Sequence, residues 1–173
     1  MDILVAPGAF KHSLTARAAA EAIARGLRRA GLGEQLHILP VADGGNGTLD
    51  AFLAGGGKRL ELKVLDPLER PVMSAFGLLD DGQTAVIEMA LASGLELLRR
   101  DELNPLRATT YGTGMLLQAA LDAGAERIIV GVGGSATNDG GAGAVQALGV
   151  RLLDENRREV PAGGGNLHRI QTI

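Results

Sequence analysis

The stretch that most constrains the fold is RIIVGVGGSATNDGGAGAVQALG, residues 127–149. It predicts a buried strand at residues 128–132, a polar glycine-rich turn at 133–141 and a helix of small residues at 142–148. A continuous β-branched run needs apolar cover on both faces, which is typical of a parallel sheet flanked by helices. In such sheets, ligands bind beyond the carboxyl ends of the strands.

The turn that follows this strand is suited to phosphate. Its glycines allow the backbone to approach a ligand and to point N–H groups at it, and the following helix adds the positive end of its dipole. The candidate ligand contacts in this turn are Gly133, Gly134, Ser135, Thr137, Asn138 and Asp139.

Composition excludes several functional classes. With 46% hydrophobic and 21% charged residues the chain can bury a core, whereas 2% aromatic residues and a net charge of −3 argue against nucleic-acid binding. The absence of cysteine excludes disulfides and thiolate metal sites. No apolar run approaches the length of a membrane helix, so we expect a cytoplasmic protein with no membrane partner.

The pattern of strand, polar turn and helix also occurs twice before residue 60. A short strand at residues 3–6 precedes a loop containing Lys11 and a helix at 15–30. Lys11 is one of only three lysines beside fourteen arginines, and it is either a phosphate contact or a solvated loop residue. We assign its neighbour His12 to the surface.

The second repeat of this pattern places a carboxylate just beyond a strand. A strand at residues 36–41 leads into the turn ADGGNGT and a helix at 48–53. Asp43 in this turn could orient a hydroxyl or hold a magnesium ion, or it could form an ordinary Asx turn or helix cap. The candidate anion contacts beside it are Gly44, Gly45 and Asn46.

From residue 60 the pattern changes to antiparallel strands at 60–65, 72–79 and 84–89, with a hairpin at residues 80–83. We expect a helix-and-turn connector at 95–107, a helix from 109 to 123 and a strand at 150–153. The final HRIQTI is typical of a strand that is only beginning, which suggests a truncated chain. We therefore predict an α/β protein with two regions: residues 1–59 as the first part of a flavodoxin-like domain, and residues 60–173 as a second, incomplete lobe.

One motif favours a different function. Residues 131–136, GVGGSA, match the dinucleotide fingerprint, and Asp154 lies near the spacing of a ribose-binding carboxylate. This match predicts an NAD(P)-binding Rossmann-type oxidoreductase. However, the polar turn at 137–141 separates the fingerprint from its helix, so we rank this alternative second.

Four stretches together resemble the glycerate kinase I family. They are APGAFKHSLTA at 6–16, PVADGGNGT at 40–48, TTYGTG at 109–114 and GVGGSATNDGGAGA at 131–144. The resemblance spans nearly the whole chain in order. Family members are longer than this chain, usually carry Asp-Ser where it has Gly8-Ala9, and usually carry Glu in place of Asn46.

The resemblance implies ATP- and magnesium-dependent phosphorylation of D-glycerate to phosphoglycerate, with the 2-phosphate as the expected product. It also implies two α/β lobes with the active site between them. From the matched motifs we expect Lys11 to neutralise an anion, Asp43 to act as base or hydroxyl orienter, and Asp139 to act as an alternative base. Either aspartate could ligate Mg²⁺. A catalytically incomplete fragment is an alternative to the active kinase. Assembly into a homo-oligomer is possible.

Overall fold

A computed structural model describes residues 2–10, 13–33 and 35–173, and its strands form two separate sheets. The first sheet is parallel and pairs β1 (Ile3–Val5) with β2 (Leu36–Ile38). Helix α1 (Ala16–Arg29) connects the two strands and packs against both. Thr15 caps this helix, because its hydroxyl accepts a hydrogen bond from the Ala18 amide at 3.1 Å. The predicted α/β class is therefore confirmed.

The second sheet is mixed and its strands lie side by side in chain order. The strands are β3 (Lys58–Leu65), β4 (Pro71–Leu78), β5 (Thr84–Glu88) and β6 (Arg127–Gly131). Hairpins join β3 to β4 and β4 to β5, whereas β5 and β6 run parallel. Asp81 caps the predicted second hairpin by accepting hydrogen bonds from the amides of Gln83 and Thr84.

Helices cover both faces of this mixed sheet. Residues along β5 alternate between the faces, so that Ile87 packs toward one helix layer and Val86 toward the other. The first layer is centred on Leu116 and the second on Leu49. The helices are α2 (Thr48–Leu53), α3 (Ala90–Ser93), α4 (Tyr111–Asp122) and α5 (Ala142–Ala147).

Helices α4 and α5 pack at very short range because of a glycine. A Cβ atom added at Gly114 would lie 2.6 Å from the Cβ of Ala147 and 2.8 Å from the Cα of Ala144. Both distances are shorter than carbon atoms tolerate, so only glycine permits this approach. The small residues of the predicted 142–148 helix therefore serve helix-to-helix packing.

The expectation of a fully covered strand at 128–132 was wrong for the described residues. Strand β6 pairs with β5 on one side and forms an edge of the mixed sheet there. Val130 is 38% exposed and Val132, beyond the strand, is 67% exposed. A β-branched run reports strand propensity, but it does not specify how many neighbouring strands are present.

The predicted helix-and-turn connector at 95–107 is confirmed, and its helical part consists of two short 3₁₀ helices, Leu95–Leu97 and Arg100–Glu102. The expected strand at 150–153 was wrong. Residues 150–153 form no continuous strand: only Leu153 makes isolated bridges, to Glu159 and Thr172. The last segment contains a 3₁₀ helix, Gly164–Arg169. The Asp154 carboxylate accepts hydrogen bonds from the amides of Asn156 and Arg158. The chain therefore reverses directly after Leu153, which leaves few residues for a β-ladder.

The two-region organisation and its boundary at residue 59 stay predictions. Helix α2, which precedes that boundary, packs against β4 and β5 of the mixed sheet. Across the described residues, no helix combines the length and the apolar character that crossing a membrane requires.

We expect Leu116→Ala to lower the free energy of unfolding by about 2–5 kcal/mol, since this fully buried side chain lies at the centre of the larger core. Urea denaturation followed by circular dichroism measures the change. The matched control is Leu121→Ala in the same helix, which is 48% exposed and should change stability by about 0.5 kcal/mol or less. Equal effects of the two substitutions would contradict this description of the core.

Candidate active site

The two predicted glycine-rich bends touch each other directly. We call residues 43–47, between β2 and α2, the first bend, and residues 133–139, between β6 and α5, the second bend. The amide of Gly133 donates a hydrogen bond to the carbonyl of Gly44 at 2.8 Å. A Cβ atom added at Gly133 would lie 2.7 Å from the Cα of Gly45, so a side chain there would push the bends apart. The bends therefore form one surface.

Asp43 lies exposed at the start of the first bend. Its Oδ1 accepts the amide of Gly45 at 3.1 Å, which is the Asx turn that the sequence offered as one alternative. Among the described residues its Oδ2 accepts no hydrogen bond. Asp43 therefore keeps one carboxylate oxygen with which it can accept a proton or ligate a cation.

Asp139 lies at the end of the second bend and is only 1% exposed. Its carboxylate accepts the amides of Thr110 at 2.8 Å and of Gly141 and Gly143 at 3.1 Å each. The hydroxyl of Thr110 donates as well, at 2.9 Å. These donors surround the starts of α4 and α5, so the carboxylate links the N-termini of both helices. Any part it takes as base or metal ligand would compete with these bonds.

Hydrogen bonds within the second bend hold its polar side chains in place. The hydroxyls of Ser135 and Thr137 are 2.8 Å apart, and the Thr137 amide donates to the Ser135 oxygen at 3.0 Å. The neighbouring Ala136 amide donates to the carbonyl of Ser93 at 2.9 Å. Asn138 is exposed, and its side chain makes no hydrogen bond within the described part of the chain. Ser135 and Thr137 line a groove of about 410 Å³ with Asp139.

Asn46 makes a further contact between the bends. Its Nδ2 donates to Glu96 at 2.7 Å, and its Oδ1 lies 2.8 Å from the position of a Cβ added at Gly134. Gly134 has φ +74°, which also favours glycine. Asn46 therefore lies between the second bend and the connector that follows α3.

The backbone donors predicted for anion binding divide into two pairs. The amides of Gly45 and Gly133 are already engaged, by Asp43 and by the Gly44 carbonyl. Those of Gly44 and Gly134 have no hydrogen-bond partner among the residues that the structure describes. Of the four predicted donors, these two amides therefore remain available for an anionic oxygen.

Glu88, the last residue of β5, is a buried carboxylate beside the bends. It is 3% exposed, and it accepts the amides of Gly47 at 3.2 Å and Leu49 at 2.9 Å. Burial raises the pKa of the Glu88 carboxyl, while the bonds from Leu49 and Gly47 oppose the shift. Glu88 therefore caps α2, and strand-end position is the sequence signal that locates it.

The predicted anion contact Lys11 and its neighbour His12 lie outside the described residues. Within those residues, no group of three or more histidine or acidic side chains is placed to hold a metal ion. Magnesium commonly takes only one or two protein carboxylates and completes its shell with water and phosphate oxygens. The unengaged oxygen of Asp43 fits that limited requirement.

The geometry disfavours the dinucleotide alternative. In that fingerprint the helix begins within the glycine pattern, so that its N-terminus receives the pyrophosphate. Here α5 begins at Ala142, after the fingerprint at residues 131–136 has ended. The intervening residues 137–141 contain the end of the second bend and Gly141, whose amide donates a hydrogen bond to Asp139.

Comparisons with known proteins identify relatives along the whole chain. The model of the glycerate kinase family matches residues 3–173. A glycerate kinase of Bacillus subtilis is 55% identical over 174 residues, which cover 100% of this chain and 46% of that protein. The glycerate 2-kinase of Escherichia coli is 48% identical over the same shares. The chain therefore spans about half the length of the curated relatives it matches.

A solved structure agrees with these relatives. A crystal structure of a protein assigned as glycerate kinase 2 from Salmonella typhimurium LT2 superimposes with a TM-score of 0.79 at 45% identity. The alignment covers 99% of this chain and 46% of the Salmonella chain.

We expect Asp139→Asn to lower the free energy of unfolding by about 2–3 kcal/mol, because the amide NH₂ would face N–H donors that now find a carboxylate oxygen. Urea denaturation measures the loss. The adjacent Asn138→Ala is the control and should change stability by about 0.5 kcal/mol or less. An Asp139→Asn protein as stable as this control would mean that the carboxylate does not hold the helix starts.

The raised pKa of Glu88 gives a pH dependence of defined sign. Because the pKa is raised, folded Glu88 retains a proton at pH values where the unfolded chain has released it. The free energy of unfolding of wild type, minus that of Glu88→Gln, should therefore fall as the pH rises from about 4.3, the unperturbed pKa, through the raised pKa. Urea denaturation of both proteins between pH 4 and pH 8 provides the difference. The charged neighbours Asp50 and Arg59 are present in both proteins and cancel. A difference that grows with pH would contradict the shift.

Proposed function

Because the chain belongs to the glycerate kinase family, we propose that it carries part of an active site for ATP-dependent phosphorylation of D-glycerate, with 2-phosphoglycerate as the product. The observation that supports this most is the direct contact between the two bends. It brings the unengaged oxygen of Asp43 and the available amides of Gly44 and Gly134 to one surface. Phosphoryl transfer depends chiefly on such positioning and on neutralising charge.

In this proposal, Asp43 acts on the attacking hydroxyl of glycerate. Its Oδ1 is fixed by the Gly45 amide, so Oδ2 is oriented and can accept the hydroxyl proton. The hydroxyl oxygen then forms a bond to the γ-phosphorus as the bond from that phosphorus to the ADP oxygen breaks. Asp43 would alternatively hold Mg²⁺, which neutralises phosphate charge when it is bound.

Backbone amides and hydroxyls hold the anionic groups in the same proposal. The amides of Gly44 and Gly134 donate to phosphoryl oxygens. The exposed side chain of Asn138 and the paired hydroxyls of Ser135 and Thr137 offer further hydrogen-bonding groups along the second bend. Lys11 adds a positive charge for a phosphate or for the glycerate carboxylate.

Asp139 has a supporting part here. Its carboxylate is shared among amides and hydroxyls at the starts of α4 and α5, so it fixes the end of the second bend. A direct part as base or magnesium ligand is the weaker alternative, because those hydrogen bonds would have to be exchanged. We also propose a cytoplasmic location and assembly into a homo-oligomer.

A coupled assay of ADP release tests the function. We expect turnover that requires both D-glycerate and Mg²⁺ and that falls about 100-fold or more in Asp43→Asn, since a positioned base or cation ligand is lost. The matched control is Asp50→Asn, an exposed carboxylate in α2 that pairs with Arg59, and it should keep turnover within about twofold. Unaltered turnover in Asp43→Asn would remove this residue from the chemistry.

The assay has two protein forms because the chain spans about half of its relatives' length. One form is the chain itself. The other is a chimera in which this chain replaces the matching part of the Bacillus subtilis glycerate kinase. Turnover only in the chimera identifies the chain as a catalytically incomplete fragment, and turnover in neither form contradicts the proposed activity.

A further inference from the structure

Glu88 is joined through its main chain to strand β6, from which the second bend departs, and through its side chain to the first bend. It is the last residue of β5 and lies opposite Gly131 of β6 in the parallel register. The next amide, that of Met89, donates to the carbonyl of Gly131 at 3.0 Å. Its backbone is therefore anchored to the strand from which the second bend departs.

The side chain of Glu88 reaches across to the first bend. Its Oε1 accepts the amide of Gly47 and its Oε2 the amide of Leu49, which are the end of the first bend and the start of α2. A carboxylate has the two acceptor oxygens that this arrangement requires. The first bend is thus attached, through one side chain, to the strand beside the second bend.

Burial of the Glu88 charge carries a desolvation cost. The carboxylate is buried, and among the described residues it forms no ion pair. The Arg59 guanidinium, which acts on it only as a charge at a distance, is itself paired with Asp50 at 2.7 Å. A buried charge without a counter-ion costs stability unless hydrogen bonds compensate it. Here the amides of Gly47 and Leu49 supply those hydrogen bonds, so the buried carboxylate and the end of the first bend stabilise each other.

We propose that Glu88 is a positioning residue that fixes the first bend against the second and so sets the distance between Asp43 and the available amide of Gly134. The contact that reports this distance is the hydrogen bond from the Gly133 amide to the Gly44 carbonyl. Glu88 touches neither of these atoms. Loss of its two acceptor bonds frees the end of the first bend, and the reporting contact then opens more often. The kinetic consequence rests on the proposed function, whereas the structural consequence does not.

The decisive variant is Glu88→Gln, which keeps size and shape but supplies one acceptor oxygen and a misplaced NH₂ donor for two amides. The matched control is Asp81→Asn at the opposite end of β5, where a carboxylate also accepts two backbone amides. Glu88→Asp keeps both acceptor oxygens on a shorter side chain. It provides a milder variant that carries the test if Glu88→Gln does not fold.

The first measurement is amide hydrogen exchange of Gly133, followed by NMR in the chain itself. After correction for any change in global stability, we expect the protection factor of the Gly133 amide to be about tenfold lower in Glu88→Gln than in wild type. This is the equivalent of losing about one net hydrogen bond. Glu88→Asp should lie between wild type and Glu88→Gln, and Asp81→Asn should leave Gly133 protection unchanged. Equal Gly133 protection in the Glu88 variants and in Asp81→Asn would overturn the proposal.

The second measurement is the ADP-release assay in whichever protein form turns over. We expect kcat/KM to fall about 10- to 100-fold in Glu88→Gln through displacement of the reacting groups, with kcat affected more than KM, while Asp81→Asn stays within about twofold. Retained kcat/KM in Glu88→Gln would overturn the positioning role. If wild type shows no turnover in either form, the proposed function fails by itself and the exchange of Gly133 alone decides the part played by Glu88.

Discussion

The candidate site depends on a backbone-to-backbone approach that side chains would prevent. The amide of Gly133 reaches the carbonyl of Gly44 at 2.8 Å, and an atom added at Gly131 would lie 2.7 Å from that same carbonyl oxygen. Two loops that leave different sheets can share a surface only if neither carries bulk at the point of contact. The spacing of Asp43 from the second bend follows from this constraint.

Three carboxylates around this contact differ in what their oxygens do. Asp139 is buried and fully engaged at two helix starts, Glu88 is buried and engaged at one, and Asp43 is exposed with one oxygen unengaged. Chemistry at a carboxylate requires an oxygen that can exchange partners without breaking the fold. The surroundings thus distinguish a carboxylate suited to reaction from two suited to holding structure, although all three are acidic residues in or beside the bends.

Local patterns predicted much of this molecule because short-range chemistry determines it. The helix after Asp43, the hairpin at Asp81 and the end of α4 at Gly124 each follow from turn, capping or periodicity signals within a few residues. The strand at residues 150–153 was predicted wrongly, because its pairing depends on partners outside the segment: Leu153 makes isolated bridges to Glu159 and Thr172. The convergence of the bends could be expected from two strand-end turns, but no pattern showed that Gly45 and Gly133 use their own amides internally. The engagement of Asp139 by Thr110 likewise joins residues 29 apart in sequence.

The close packing of α4 against α5 at Gly114 restricts both substitutions and movements at this contact. Gly114 leaves no free volume against Ala144 and Ala147, so α5 has no room to slide when α4 moves. Helix α4 packs on the mixed sheet through Leu116, and α5 carries the second bend at its N-terminal side. The packing of α4 against α5 therefore connects the interior beneath Leu116 with the position of the second bend.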